Sequence, residues 1–135
     1  MRLLVDINVL LDAVLAREPW VDDAGEILAS AVEGRATAYV AGHTITTIHY
    51  LVAKVQGRAT ATAAVSDLLR VVDVVPVEKA DLHQAFALGL ADFEDAVQAT
   101  CALKIGADFI VTRNHRDFAG VAVPAKSPAF VLSRL

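Results

Sequence analysis

Oxygen-bearing side chains follow two short apolar runs that lie near opposite ends of the chain. Asp6 comes directly after the run of residues 3–5, and Asn114 comes shortly after Phe109–Val111. Because the carboxyl ends of parallel strands meet at one edge of an α/β sheet, we expect these side chains to converge. Carboxylate and amide oxygens are the ligands that hard divalent cations prefer. The pattern therefore indicates an oxygen-ligand site for a cation.

The first group of polar residues is Asp6-Ile7-Asn8. Asp6 is the predicted cation ligand, and Asn8 is expected to hold the turn or to cap the following helix. The alternative is that both side chains only cap this helix, which is the commoner meaning of an isolated Asp-x-Asn pattern. The group therefore depends on the other two groups for its interpretation.

The second group places Asp92, Glu94 and Asp95 just ahead of the apolar stripe of a helix. Asp92 and Asp95 are three residues apart, which puts both carboxylates on one side of the helix start. The helix dipole favours acids at this position, so helix capping and metal binding both remain open for Asp92. The small neighbours Ala96 and Ala99 favour metal binding by Asp95, because they let it lie close to the sheet.

The third group is the polar loop after the last long apolar run. It combines Thr112, Arg113, Asn114, Arg116 and Asp117. Arg113 and Arg116 are predicted to bind phosphate oxygens, while Asn114 and Asp117 are predicted to position a cation or an attacking water. A solvated polar turn is the alternative, but the position directly after a strand favours a functional role.

Short apolar runs alternate with helical patterns along the chain and must position these three groups. The predicted strands are Arg2–Val5, Thr37–Ala41, residues 71–77, Phe109–Val111 and a very short fifth strand at residues 121–123. The predicted helices cover residues 8–15, 21–33, about 43–57, 59–69, 78–88 and 91–105. Strands separated by helices of this length predict parallel βαβ units, and Pro76 predicts that the third strand lies at an edge or ends there.

Composition limits the class of protein. The 135 residues are expected to form one domain, residues 1–135, because a chain of this length supports one core. Charged residues interrupt every apolar stretch before it reaches the roughly 20 residues of a membrane span, and no signal peptide is recognisable, so we expect a soluble, cytoplasmic protein. A net charge of −4 argues against a broad basic surface, although bound cations would reverse the local charge at an acidic site.

Together, the three groups resemble the PIN-domain family of metal-dependent ribonucleases, which includes the VapC-like toxins of bacterial toxin–antitoxin pairs. The matching segments are residues 4–12, 92–96, 110–114 and 117–118. The resemblance implies a three-layer αβα fold with a central parallel sheet of four to five strands. It also implies that Asp6, Asp95 and Asp117 are catalytic, and that Asp6, Asp92 and Asp95 hold Mg²⁺ or Mn²⁺.

The same resemblance implies an endoribonuclease that hydrolyses RNA phosphodiester bonds with a cation-activated water. The implied supporting and substrate-binding residues are Asn8, Thr46, Thr112, Arg113, Asn114 and Arg116. The implied partners are RNA, a small antitoxin whose tail enters the acidic pocket, and a second copy of the chain in a homodimer. Apolar positions at residues 21–32 and 45–55 could form either protein interface, unless both stripes are core.

One acid of the family pattern is missing from this sequence. The family commonly has a glutamate in the helix after the second strand, but no carboxylate occurs here between Glu33 and Asp67. A hydroxyl of Thr46 or Thr47 could orient a metal-bound water, yet it cannot supply the lost charge. The missing acid supports an alternative function, a catalytically weakened PIN-like module that binds RNA or protein.

Three further polar residues have simpler structural interpretations. His49 is expected to lie at the surface or at a partner contact, because hard Mg²⁺ prefers oxygen ligands. His43 is expected at the start of the same helix. Asp12 lies six residues after Asp6, and a salt bridge with Arg17 is its expected role.

A phosphotransfer or phosphatase domain is the third functional class to consider. An aspartate after an apolar first strand also marks receiver and haloacid-dehalogenase-like folds. The lysine that is diagnostic of those folds near the end of the domain is absent, because Thr112 is followed by Arg113 and Lys126 lies in a proline-bearing tail.

Overall fold

Five short segments pair into one parallel β-sheet. In this computed structural model, which describes residues 1–135, the strands are β1 (Arg2–Val5), β2 (Thr37–Ala41), β3 (Asp73–Val75), β4 (Phe109–Val111) and β5 (Ala125–Lys126). The strand order is β3-β2-β1-β4-β5, and all four neighbouring pairs are parallel. The central strand β1 is buried from Leu3 to Val5 because helices cover both faces of a parallel sheet.

Seven α-helices and one short 3₁₀ helix surround the sheet. They are α1 (Ile7–Val14), α2 (Val21–Val32), α3 (Gly42–Gln56), α4 (Arg58–Leu68), α5 (Lys79–Ala87), α6 (Phe93–Lys104), the 3₁₀ helix His115–Phe118, and α7 (Pro128–Leu132). Gly57 separates α3 from α4 with a φ of 88°, a backbone conformation that favours glycine. None of the helices is long and apolar enough to cross a membrane.

Alternating side chains along the strands divide the core between the two faces of the sheet. Leu3 and Val5 pack into a cluster with residues of α1, α2, α3, α4 and α7. Leu4 instead packs into a second cluster with Ala99 and Cys101 of α6, against which α5 packs. The predicted three-layer αβα arrangement with a parallel central sheet is therefore confirmed.

The segment after β4 differs from the prediction. The fifth strand is β5, so its assignment to residues 121–123 was wrong, and the proline-bearing tail contains helix α7. Ser127 caps this helix by accepting a hydrogen bond from the Phe130 backbone N–H at 3.2 Å. The third strand is shorter than the predicted residues 71–77, but it lies at the sheet edge and ends before Pro76, as the proline indicated.

The apolar stripes of α2 and α3 are mainly core. Ile27 and Ile48 are fully buried, whereas Val32, Tyr50 and Val55 are exposed. The buried positions therefore contact the rest of the fold, and only single exposed side chains of these stripes are available to a partner.

Candidate metal centre

Asp6 lies at the carboxyl end of β1 and is almost completely buried, with 3% of its surface exposed. Its Oδ1 accepts a hydrogen bond from Gln98 Nε2 at 2.9 Å, and its Oδ2 accepts one from Thr112 Oγ1 at 2.8 Å. Thr112 stands beside Asp6 because Val5 and Val111 pair in the sheet register. Asp6 is the N-cap residue of α1, but its side chain makes no capping hydrogen bond to that helix.

A pocket of about 350 Å³ opens at Asp6. Its lining residues are Asp6, Ile7, Asn8, Leu11, Thr47, Leu51, Asp92, Glu94, Asp95, Asn114 and Asp117. They come from α1, α3, the start of α6 and the loop after β4. All three polar groups of the sequence therefore meet in one pocket, which we call the acidic pocket.

Negative charge is concentrated in the acidic pocket. Burial first, and then the charges of Asp92, Asp6 and Asp117, raise the pKa of Asp95 from 3.8 to about 7. Burial also raises the pKa of Asp6, although hydrogen bonds from Gln98 and Thr112 oppose this shift. A divalent cation would relieve this repulsion, and perturbed carboxyl pKa values are typical of functional sites.

The raised pKa of Asp95 predicts a pH-dependent gain of stability in Asp95→Asn. Between about pH 4 and pH 7, Asp95 keeps its proton in the folded protein but releases it in the unfolded chain. Asp95 therefore lowers the free energy of unfolding increasingly as the pH rises through this range. Because Asp95 is half-buried, the full linkage energy is discounted for solvent screening. With a chelator present, the variant is expected to exceed the parent in unfolding free energy by about 1–2 kcal/mol at about pH 8.

Urea unfolding of both proteins at about pH 4 provides the control for this prediction, because Asp95 is then protonated in the folded state and the difference should nearly vanish. An equal difference at both pH values would contradict the charge-based explanation.

The donor atoms of the acidic pocket fit Mg²⁺ or Mn²⁺ better than a softer metal. The pocket offers carboxylate, amide and hydroxyl oxygens and no histidine or cysteine. No three His, Cys, Asp or Glu side chains stand close enough together to enclose an ion. Mg²⁺ commonly uses one or two carboxylates and keeps several waters, which matches a pocket with the buried Asp6 and the half-buried Asp95.

The remaining predicted residues of the pocket have distinct positions. Asp92 is the N-cap of α6, where its Oδ1 accepts a hydrogen bond from the Asp95 backbone N–H at 3.0 Å. Asn8, Asn114 and Asp117 line the pocket, and the Asn114 backbone N–H donates to Thr112 Oγ1 at 3.0 Å. Asp92 thus combines a capping role with a place at the pocket wall.

Arg113, a predicted phosphate ligand, is not among the residues that line the acidic pocket, and its guanidinium is bound to another side chain. Its Nε and Nη2 donate to the two carboxylate oxygens of Asp12 at 2.7 and 3.2 Å, and its guanidinium lies 3.8 Å from the centre of the Trp20 ring. Arg17, the predicted partner of Asp12, is farther away at 3.6 Å. Asp12 is 1% exposed, so the main role of Arg113 is to neutralise a buried carboxylate.

The structure separates the two threonines of α3 that the sequence left as alternatives. Thr46, which the sequence assigned to the site, is exposed, donates its hydroxyl to the His43 carbonyl at 2.9 Å and is not among the residues that line the acidic pocket. Thr47, one residue later, lines the acidic pocket. His49 lies 3.0 Å from the Thr62 hydroxyl and is not part of the pocket, which agrees with its structural interpretation.

Gln98 is the functional residue that sequence reasoning missed. It is fully buried, and its Oε1 has no hydrogen-bond partner although its Nε2 holds Asp6. A signal was present, because Gln98 is a polar residue within an apolar helical stripe and lies three positions after Asp95, on the same face of α6. Glu94, noted only as part of an acidic cluster, also lines the pocket.

Comparison with known sequences gives one family match. The family model described as the PIN domain matches residues 2–116. No curated protein sequence matches the chain.

Comparison with solved structures gives similar folds in bacterial proteins. VapC20 of Mycobacterium tuberculosis, described as a Sarcin-Ricin loop cleaving toxin, aligns with a TM-score of 0.71 at 19% identity over 89% of this chain and 96% of that chain. DNA-bound VapBC of Salmonella typhimurium gives a TM-score of 0.72 at 14% identity over 95% and 98% of the two chains. VapBC2 of Rickettsia felis, bound to a DNA fragment from its promoter, gives a TM-score of 0.69 at 13% identity over 93% of this chain and 96% of that chain. At these identities the likeness concerns the fold.

Proposed function

Because this chain belongs to the PIN-domain family, whose model spans residues 2–116, we propose that it is a metal-dependent endoribonuclease acting in the cytoplasm. The observation that supports this function most is the meeting of Asp6 and Asp95 in one pocket where negative charge is concentrated. Family membership also disfavours the phosphotransfer and phosphatase alternative.

In this proposal Asp6 and Asp95 would hold Mg²⁺ or Mn²⁺, and Asp92, also in the lining of the pocket, would add negative charge beside the ion. Such a cation, when bound, lowers the pKa of a bound water and stabilises charge that develops on the scissile phosphate. Gln98 and Thr112 keep the Asp6 carboxylate in one orientation, because each donates to a different oxygen. Asn114 and Asp117, which also line the pocket, would orient the attacking water.

The test is incubation of the purified chain with single-stranded RNA in Mg²⁺, in Mn²⁺ and in EDTA. Cleavage that requires either cation and stops with EDTA supports the proposal. Calorimetric titration of the same cations reports binding separately. Cation binding without cleavage would favour the alternative, a weakened module that binds RNA or protein.

We also propose that the nuclease is the toxin of a toxin–antitoxin pair. Solved structures with this fold include VapBC complexes and a toxin–antitoxin complex from Klebsiella pneumoniae, which supports an antitoxin as partner. An acidic pocket would attract a cationic side chain of such a partner. Co-expression of the chain with the product of a short neighbouring reading frame should relieve the growth inhibition that the chain alone causes. Growth inhibition unaffected by that product would count against this pairing.

Light scattering of the isolated chain decides whether it forms the homodimer that the resemblance implies.

Thr47 provides a direct test of the missing acid. Thr47→Glu places a carboxylate in the acidic pocket, which adds a ligand charge and should lower the Mg²⁺ concentration for half-maximal cleavage by on the order of tenfold. Thr46→Glu is the matched control, since Thr46 is exposed on the neighbouring position of the same helix. If both variants need the same Mg²⁺ concentration as the parent, Thr47 does not face the bound cation.

A further inference from the structure

A chain of shallow pockets leads away from the acidic pocket across the loop after β4, the 3₁₀ helix and α7. The acidic pocket shares Asn114 and Asp117 with a pocket of about 290 Å³ that also contains His115 and Arg116. This second pocket shares His115 with a third, of about 260 Å³, which contains Lys126 and Phe130. The shared residues make the three pockets one continuous surface.

The electrostatic character reverses along this surface. The acidic pocket carries five carboxylates, whereas the third pocket is lined by His115, Lys126 and no acid. Arg116 and Lys126 form no salt bridge, in contrast to Arg113, which forms one with Asp12. In a chain of net charge −4, adjacent cations without carboxylate partners are available to an anionic ligand.

Phe130 brings a further cation into this set. The Lys126 Nζ lies 5.0 Å from the centre of the Phe130 ring, and the Arg134 guanidinium carbon lies 4.8 Å from it. Both cations therefore lie near one ring, and Arg134, like Lys126, forms no salt bridge with a carboxylate. Their positive charges are thus available to an anion. We call His115, Arg116, Lys126 and Arg134 the basic track.

We propose that the basic track binds the phosphates of single-stranded RNA that flank the phosphate to be cleaved, an inference that rests on the proposed ribonuclease function. Successive phosphates of one strand can then occupy a surface that is continuous with the acidic pocket. Asp6 is recessed, so a strand must enter the pocket to reach it, which favours single-stranded over duplex substrate. Lys and Arg contacts to phosphates supply affinity without reading the base sequence.

The test measures binding of a labelled single-stranded oligoribonucleotide by fluorescence anisotropy, in EDTA so that no cleavage occurs, from about 50 to 200 mM salt. Lys126→Gln and Arg134→Gln are each expected to weaken binding roughly threefold to tenfold and to reduce the salt slope by about 0.7. Lys79→Gln and Arg58→Gln are the matched controls, because both residues are exposed on other helices and lie outside the track. Their binding should equal that of the parent.

Cleavage by the same variants provides the second measurement. Flanking phosphates are bound alike in the ground state and the transition state, so the track variants should raise KM and leave kcat nearly unchanged. Track and control variants that bind RNA equally would overturn the inference, whereas cation-dependent cleavage by the parent would still support the proposed function. A parent that binds an acidic polypeptide but not RNA would overturn the inference in favour of a protein ligand.

Discussion

Asp6→Asn is expected to reduce cation-dependent RNA cleavage by at least about a hundredfold, the largest effect on activity of any single change considered. The substitution removes the negative charge at the most buried carboxylate of the pocket, which the proposed function assigns to cation binding. Initial cleavage rates at saturating Mn²⁺, with a labelled RNA, would measure the loss. Calorimetry of the same variant should show weakened cation binding.

The fold should survive Asp6→Asn. Gln98 Oε1 has no partner, so rotation of the Gln98 amide lets it accept a hydrogen bond from the new asparagine N–H. Removing a buried charge whose pKa is raised by burial should not lower stability near neutral pH. Asp73→Asn, at an exposed position of the edge strand β3, is the matched control and should cleave at the parental rate. Full cleavage by Asp6→Asn would remove this residue from the mechanism.

Arg113→Met is expected to cause the largest loss of stability, about 3 kcal/mol in the free energy of unfolding. Asp12, which is 1% exposed, would lose the two hydrogen bonds from Arg113 and retain only Arg17, at 3.6 Å. The variant also loses the stacking of the guanidinium on Trp20. Urea unfolding with the midpoint and slope determined separately measures the change.

Two further variants isolate the cause of this loss. Arg116→Met alters an exposed arginine without an ion pair and should change stability by less than about 0.5 kcal/mol. The double variant Asp12→Leu with Arg113→Met removes both charges and should recover much of the loss, because no carboxylate is left buried and unpaired. A single Arg113→Met variant as stable as the parent would show that Asp12 does not depend on this partner.

Local patterns were sufficient to predict most of the fold. The β-branched and aliphatic runs of β1 and β4 are followed by polar residues, and the helices between strands are long enough to require parallel pairing. The position of β5 was predicted wrongly because a two-residue strand, Ala125–Lys126, is too short to show an alternating pattern. The β-branched residues of Val121-Ala122-Val123 favour a strand more strongly. Pairing with β4 decides its position, and such pairing is a tertiary effect.

The site was predictable as a set of residues but not as a set of contacts. The prediction that Asp6, Asp95 and Asp117 lie together rested on their positions in the chain, because each follows a strand or begins a helix, and all three line the acidic pocket. The pairing of Asp12 with Arg113 joins residues 101 positions apart, and no local spacing indicates it. Gln98 stands out in the sequence as a polar residue within an apolar stripe, but its contact with Asp6 depends on which residue of α6 reaches the end of β1.

The order of synthesis has a consequence for when this protein becomes able to act. Asp6 is synthesised well before the two side chains that orient it, because Gln98 and Thr112 follow 92 and 106 residues later. A nascent chain therefore carries the Asp6 carboxylate without these two hydrogen bonds until β4 has joined β1. Translation products that end before β4 should consequently lack the assembled acidic pocket, and with it the proposed activity.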